Sequence, residues 1–340
     1  MTEFLDLVRV LVGPRFPFKF IYSKDYWMLD AGSHIFPIRK YRMLYERLLA
    51  LGARARNFVT PQPAADEDLL LVHTAKYVRK LRLGTLSTAE VVALELPFSP
   101  EVVKFAVLTV GGTILAGRHA LADGLAMHLG GGFHHAFPDH GEGFCVLNDV
   151  AVAIEVLRRD GLVRRAMVVD VDLHQGNGTA AIFSRREDVF TFSIHQMDIY
   201  PSVKPAGSLD IGLWSGDGDE KYLAEMRAHF PGLFREYRPD LVLYVAGADP
   251  YEKDQLGSLL LTKDGLRERD RIVIDGARRL GIPVLVVLAG GYAADVDDTV
   301  EIHLNTIREA ARAQRRTSRF LSPRSTSAGR RPNPGRPEGR

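Results

Sequence analysis

Two adjacent histidines, His134 and His135, follow three glycines, and an Asp172-x-His174 pair and an isolated Asp249 stand where apolar runs end. In an extended segment, residues two apart point to the same side, so Asp172 and His174 present an oxygen and an imidazole together. That donor pair suits a borderline divalent ion such as zinc, whose catalytic sites take three protein ligands and keep one position open. Asp249, in Ala246-Gly-Ala-Asp-Pro250, is the candidate third ligand. On packing grounds alone Asp172 could instead cap a helix, and His174 could be a hydrogen-bonded loop histidine. Adjacent histidines are costly to bury, because two imidazoles need several partners. In a metal hydrolase such a pair supplies a general base and a general acid.

The elements that must position these groups are legible as apolar runs. Residues 126–130, 166–172, 189–195, 240–247 and 283–290 are rich in β-branched residues and end in Gly, Asp or His. Unbroken apolar runs suit strands of a parallel sheet covered on both faces. Segments 39–50, 101–122, 149–159, 220–235, 263–280 and 296–311 carry helical periodicity. Alternating strands and helices predict a doubly wound α/β domain, in which functional groups gather beyond the carboxyl ends of the strands.

Composition narrows the classes. A chain of 340 residues with 46% hydrophobic content has ample core for a single α/β domain. No uncharged apolar run approaches the roughly 18 to 20 residues of a membrane helix, and the Phe4–Val12 stretch, interrupted by Asp6 and Arg9, lacks the surroundings of a secretion signal. The single cysteine, Cys145, precludes an internal disulfide and fits a reducing compartment, so a cytoplasmic location is expected, or a nuclear one in a eukaryote. The net charge of +2 hides an asymmetry: residues 312–340 hold nine Arg and one Glu, or +8, leaving −6 on the rest. With few large apolar residues, segment 318–340 reads as a disordered basic tail after a catalytic domain spanning 1–317, and polyanion contact is its functional reading.

Four ordered motifs, Gly130-Gly-Gly-Phe-His-His135, Gly143-Phe-Cys-Val-Leu-Asn-Asp149, Asp170-Val-Asp-Leu-His-Gln-Gly-Asn-Gly178 and Gly290-Gly-Tyr292, make the chain resemble the histone deacetylase family from about Phe20 to about Ala311. Val72-His-Thr-Ala-Lys-Tyr77 and Gly111-Gly-Thr-Ile114 extend the likeness, and Ile199-Tyr-Pro201 with Glu252-x-Asp-x-Leu-Gly257 is most similar to the class IV branch and its bacterial relatives. The resemblance implies an arginase-type fold with a parallel sheet of about eight strands. It implies Asp172, His174 and Asp249 as ligands of zinc, or of ferrous iron. It also implies a structural potassium ion near Asp170 and Ser193, with main-chain oxygens of Asp172, His174 and Ile194. His135 becomes the general base and His134 a histidine oriented by Asp170. Asn177 stands where class I members pair the second histidine with an Asp, and an amide lacks the charge that raises a histidine's pKa.

The resemblance further gives Tyr292 as oxyanion donor, with simple packing at a strand end as its alternative. Phe144 and Tyr200 become walls of a sleeve for the lysine stem, Gly143 a close-approach residue, and Leu256 a rim residue where polyamine-selective members carry glutamate. The implied activity is removal of acetyl or longer acyl groups from lysine in a protein or peptide. A small-molecule deacetylase acting on acetylated polyamines, and a non-catalytic acyl-lysine binder, remain as alternatives. An arginase-like ureohydrolase would want two metals and more acidic ligands. A phosphate loop is not supported, since Gly176-Asn-Gly178 lacks the following Lys-Ser/Thr.

Overall fold

The apolar runs of the sequence become the middle of one eight-stranded parallel sheet in the computed structural model, which describes residues 16–27 and 34–321. The strands are β1 (Lys19–Ile21), β2 (Phe58–Val59), β3 (Leu125–His128), β4 (Ala166–Asp170), β5 (Val189–Gln196), β6 (Leu209–Leu213), β7 (Leu241–Val245) and β8 (Val284–Val287). Their order is β2-β1-β3-β8-β7-β4-β5-β6, every neighbour parallel. Each residue of β3, β4, β7 and β8 is buried. This explains why these strands carry no polar alternation: helices cover both faces of the sheet. The expected arginase-type architecture is thus the observed one.

Helices Arg39–Ala50 and Asp149–Arg159 have the bounds expected from periodicity. The segment expected as one helix over 220–235 is two, Asp219–His229 and Gly232–Tyr237. Pro231 stands at the break, and a proline without an N–H cannot continue a helical ladder. The last helix, Val296–Leu321, runs ten residues beyond the expected 311 and takes in the first residues of the supposed tail. The rest of that basic segment, 322–340, lies outside the described residues.

The helix Pro100–Asp123 is long and apolar enough to cross a membrane by length and composition, though Lys104 and Arg118 break its uncharged run, and 67% of its most apolar window is buried inside the protein. It packs on β3 and on helix Asp149–Arg159. Ser99 caps its amino end by accepting from the Val102 amide, and Gly124 closes it in a left-handed conformation. Its low amphipathicity is what burial on nearly all sides requires.

Candidate metal and acid-base site

Beyond β4 the chain continues as Val171-Asp172-Leu173-His174, and its side chains alternate. Val171 and Leu173 enter the core, while Asp172 and His174 face a narrow cavity of about 20 Å³. Beyond β7, the neighbour of β4 in the sheet, the chain delivers Asp249. Ligand atoms of Asp172, His174 and Asp249 lie within 4.8 Å of one another, and all three residues are buried. The sequence-based ligand set therefore converges as expected, from two adjacent strand ends.

Backbone amides fix these carboxylates. Asp172 Oδ2 accepts from the Gly290 amide at 2.9 Å, and Asp172 Oδ1 from the His174 amide at 3.1 Å. Asp249 Oδ1 accepts from the Leu173 amide at 3.0 Å, while buried Asp249 Oδ2 makes no hydrogen bond among the described residues and has His174 Nδ1 at 3.4 Å as its ionic neighbour. A buried carboxylate oxygen without a donor is costly unless a cation meets it. Burial first, and then the charge of Asp172, pushes the Asp249 carboxyl up to about 7, against the opposing influence of His174. The orphaned oxygen, the mixed oxygen and nitrogen donors and their proximity fit a divalent ion of the zinc class. Gly290 is obligatory here, because a Cβ would stand 2.2 Å from Asp249 Oδ2.

Support for the ligand loops comes from a group that no sequence pattern flagged. Arg269 is fully buried, and its Nη1 donates to Gly247 O at 2.7 Å and to Val171 O at 3.2 Å, the backbones leading to Asp249 and Asp172. Asp270 pairs with the same guanidinium at 2.8 Å and also accepts from Tyr244 and Thr306. Lys40 is a second such case. Its buried Nζ donates to Ala289 O at 2.6 Å, tying helix Arg39–Ala50 to the Gly290-Gly-Tyr292 turn. Desolvation lowers the Lys40 ammonium to about 8 despite the nearby charges of Asp249, Asp172 and Asp254. The signal for Lys40 was a lysine on the helix face that carries Tyr41, Leu44 and Leu48.

The histidine pair sits on the loop after β3. Asp149 holds that loop by accepting from the Gly132 amide at 3.1 Å and the Phe133 amide at 2.8 Å. Asn148 Nδ2 donates to His134 O and Ala136 O, and the Asn148 amide donates to Nε2 of His73, whose Nδ1 bonds Phe137 O. The Asn-Asp pair and His73, parts of two of the motifs, are thus scaffolding for the histidine loop.

His134 Nδ1 meets Asp170 Oδ2 at 2.7 Å. Burial opposes its charge, but Asp170 and Asp172 outweigh burial and lift it to about 9. His135 behaves oppositely: burial first, then the charges of His134 and His174, hold it well below the usual imidazole range. Its Nδ1 bonds Asn177 Oδ1 at 2.7 Å. Two neighbouring imidazoles are thereby set to different protonation states near neutral pH, the condition for dividing electrostatic and base roles.

The remaining expected residues divide. Phe144 and Tyr292 line the cavity with ring centroids 5.9 Å apart, and Gly143 lines it too. Phe144 holds φ of 67°, a left-handed conformation rare for a bulky side chain, with its amide bonded to Leu94 O. A Cβ at Gly143 would stand 2.6 Å from the Tyr200 hydroxyl, so glycine lets Tyr200 close on His135, ring to ring at 5.0 Å. Leu256 is half-buried and packs against the core, outside the lining of the narrow cavity. Its neighbour Asp254, part of the Glu252-x-Asp-x-Leu-Gly257 motif, has a contact that the sequence did not foretell: it accepts from the Tyr292 amide at 2.7 Å and so fixes the tyrosine's backbone. Asp170 and Ser193 are direct partners in the β4–β5 register, and the Ser193 hydroxyl meets His195 Nδ1 at 2.9 Å. Cys145 is buried, and burial pushes its thiol well above the usual range, consistent with a structural residue.

Comparison with known proteins agrees with this geometry. The model of the histone deacetylase domain matches residues 34–307. An uncharacterized protein of Picosynechococcus is 41% identical over 87% of this chain and 98% of its own length. A histone deacetylase-like amidohydrolase of Pseudomonas aeruginosa is 35% identical over 77% of this chain and 73% of its own. Histone deacetylase 2 of Arabidopsis thaliana is 31% identical over 83% and 77% respectively. The crystal structure of the HDA15 HD domain superposes with a TM-score of 0.72 over 91% of this chain and 94% of that one, at 20% identity.

Proposed function

Because the chain belongs to the histone deacetylase family, we propose that it is a metal-dependent hydrolase that removes acetyl or longer acyl groups from lysine side-chain amines of proteins or peptides. The observation that carries this reading is the orphaned oxygen of Asp249, set among Asp172 and His174 beside two histidines of opposite protonation preference. Asp172, His174 and Asp249 would hold a zinc or ferrous ion, which supplies Lewis acidity toward the acyl oxygen and the attacking water. The neighbourhood of Asp170 and Ser193 is the place for a structural potassium ion.

The protein's own groups account for the proton movements. His135 gives its Nδ1 hydrogen to Asn177, which leaves the other ring nitrogen as an acceptor for a proton of the attacking water. The water oxygen bonds to the acyl carbon, and the carbonyl electrons move onto oxygen. Tyr292 donates its phenol hydrogen to that developing charge, and burial keeps the phenol protonated. His134, positive beside Asp170, adds electrostatic stabilisation. As the C–N bond breaks, His135 returns its proton to the departing amine. Phe144, Tyr200 and Gly143 would form the sleeve for the methylene stem, with Leu256 farther out.

Initial rates on acetyl-lysine peptides, longer acyl-lysine peptides, acetylputrescine and acetylspermidine test the substrate assignment. The reading expects the highest kcat/KM on an acyl-lysine peptide, and expects Leu256→Glu to narrow the gap to the polyamines. Preference of the unaltered protein for an acetylated polyamine would overturn the protein-lysine assignment while leaving the hydrolytic chemistry in place.

A further inference from the structure

The metal ligands lie at the carboxyl ends of the strands, and a second concavity lies toward their amino ends. Helix Lys263–Arg279 runs away from the ligand side, so its second half and Leu280 lie close to where β8 begins at Val284. There, between helices Asp219–His229, Gly232–Tyr237, Lys263–Arg279 and Val296–Leu321, an open cleft of about 450 Å³ is lined by Arg227, Arg235, Arg271, Arg279, Arg312 and Arg316. Its floor is apolar, formed by Phe230, Pro231, Ile272 and Leu280.

The acids around the cleft do not match this charge. Asp275 is shared by Arg279 at 3.4 Å and Arg316 at 2.9 Å. Glu268 is shared by Arg227 at 3.4 Å and Arg271, and Glu309 takes Arg312 at 3.3 Å together with Arg267 at 2.7 Å. Six guanidiniums thus face three carboxylates, each already divided between two cations, and Arg235 is exposed without an acidic partner among the described residues. A network serving stability alone needs no such surplus, since like charges gathered around a concavity repel. Each guanidinium offers five N–H donors in a planar fork, and one shared carboxylate oxygen fills few of them.

We propose that this cleft is a binding site for an oligophosphate, its phosphoryl oxygens met by the arginine ring and any attached nucleoside resting on the apolar floor. Forked donors from several helices suit bidentate contacts with successive phosphates. A recessed volume in the range of small-molecule pockets, rather than an extended basic strip, favours a compact anion over a nucleic-acid duplex. The site is separate from the acyl-transfer chemistry, and its occupancy does not require the proposed substrate to be correct.

Calorimetric titration of the metal-loaded full-length protein with inorganic tripolyphosphate and with ATP tests this. One equivalent should bind, with affinity falling as salt is raised. The double substitution Arg235→Ala with Arg279→Ala should weaken binding about tenfold or more, the loss of at least one charge-assisted contact. Arg54→Ala with Arg56→Ala, beside the edge strand β2, removes the same charge elsewhere and should leave affinity within about twofold, since exposed charges more than a Debye length apart are largely screened at physiological salt. Equal affinity for the two probes would assign the site to the phosphate chain alone, and tighter ATP binding would bring in the floor; both support the proposal. Absence of saturable binding, equal losses in the two double variants, or binding of duplex DNA that tripolyphosphate does not displace would overturn it.

Discussion

Asn177 Nδ2 donates to Glu142 Oε1 at 2.6 Å, and this contact decides which face of the Asn177 amide meets the histidine. A carboxylate can only accept, so the NH₂ group must point to Glu142 and the carbonyl oxygen to His135 Nδ1. The Gly178 amide, 3.0 Å from Asn177 Oδ1, agrees with that orientation. Glu142 also accepts from the Tyr200 hydroxyl at 2.8 Å, joining the base to a sleeve wall. Without Glu142 the amide could turn, present a donor to Nδ1, and leave the proton on the nitrogen that must act as base. Glu142→Ala should therefore lower kcat by roughly 10-fold to 10²-fold with little change in KM, and Glu142→Gln, which keeps an acceptor oxygen, should recover most of it. An unchanged kcat in Glu142→Ala would show that Asn177 needs no such anchor.

Tyr292→Phe removes a single hydroxyl at the cavity, one that makes no hydrogen bond among the described residues. Turnover should fall by roughly 10²-fold or more, with KM nearly constant, because the lost contact forms only as the oxyanion develops. Full turnover in this variant would mean that the phenol does not reach the acyl oxygen.

Five histidines outside the ligand set are buried neutral, among them His135 and His303, which burial first holds well below the usual imidazole range. Desolvation lowers His73 to about 4, His128 to about 3 and His195 to about 4. Each folded value lies below the ordinary 6.5, so between about pH 4 and 6.5 the unfolded chain binds more protons and stability rises with pH. His134 and His174 move the other way, and what they add is complete below about 6.5 and fades as pH rises above it. Asp249 and Asp254, pushed up by burial to about 7 and about 6, take up protons in the folded state over the same range and oppose this trend, so chemical unfolding followed from pH 6.5 to 4.5 is read as a difference between variants. His128→Gln, though less stable at pH 7 through its lost bonds to Tyr26 and Thr113, should show a slope smaller by about 1.4 kcal/mol per pH unit, the share of one proton. Equal slopes would mean that His128 is already charged in the folded protein.

The central strands were legible because a strand buried on both faces must be apolar along its length, as β7 and β8 are and as β4 is up to its terminal Asp170. β1 and β2, of three and two residues, are too short to form a pattern, and β6 holds Asp210 and Gly212 because an edge strand is only half covered. At the site, Asp172, His174, Asp249, the histidine pair and Tyr292 lie in contiguous motifs and could be named in advance. The roles of Glu142, Lys40, Asp254 and Arg269 could not, although Asp254 stands in the Glu252-x-Asp-x-Leu-Gly257 motif and Lys40 on the apolar face of its helix. Each is a single charge whose meaning comes from a distant partner, Asn177, Ala289, the Tyr292 amide or Gly247, and separations of up to 249 residues leave no spacing to read. The structure rather than the pattern also turned His73, Asn148 and Asp149 into supports of the histidine loop.

Elemental analysis combined with deacylation rate in Asp249→Ala tests the account most directly. The unaltered protein should hold one divalent ion per chain, lose activity on chelation and regain it with zinc or ferrous iron, because Asp172, His174 and Asp249 gather buried oxygen and nitrogen donors around one point and leave an Asp249 oxygen without a hydrogen bond. Asp249→Ala, folded by circular dichroism, should contain substoichiometric metal and hydrolyse an acetyl-lysine peptide at least roughly 10²-fold more slowly, a loss of transition-state stabilisation of several kcal/mol. A folded Asp249→Ala variant that retains one tightly bound ion and the full rate would contradict the assignment of this site.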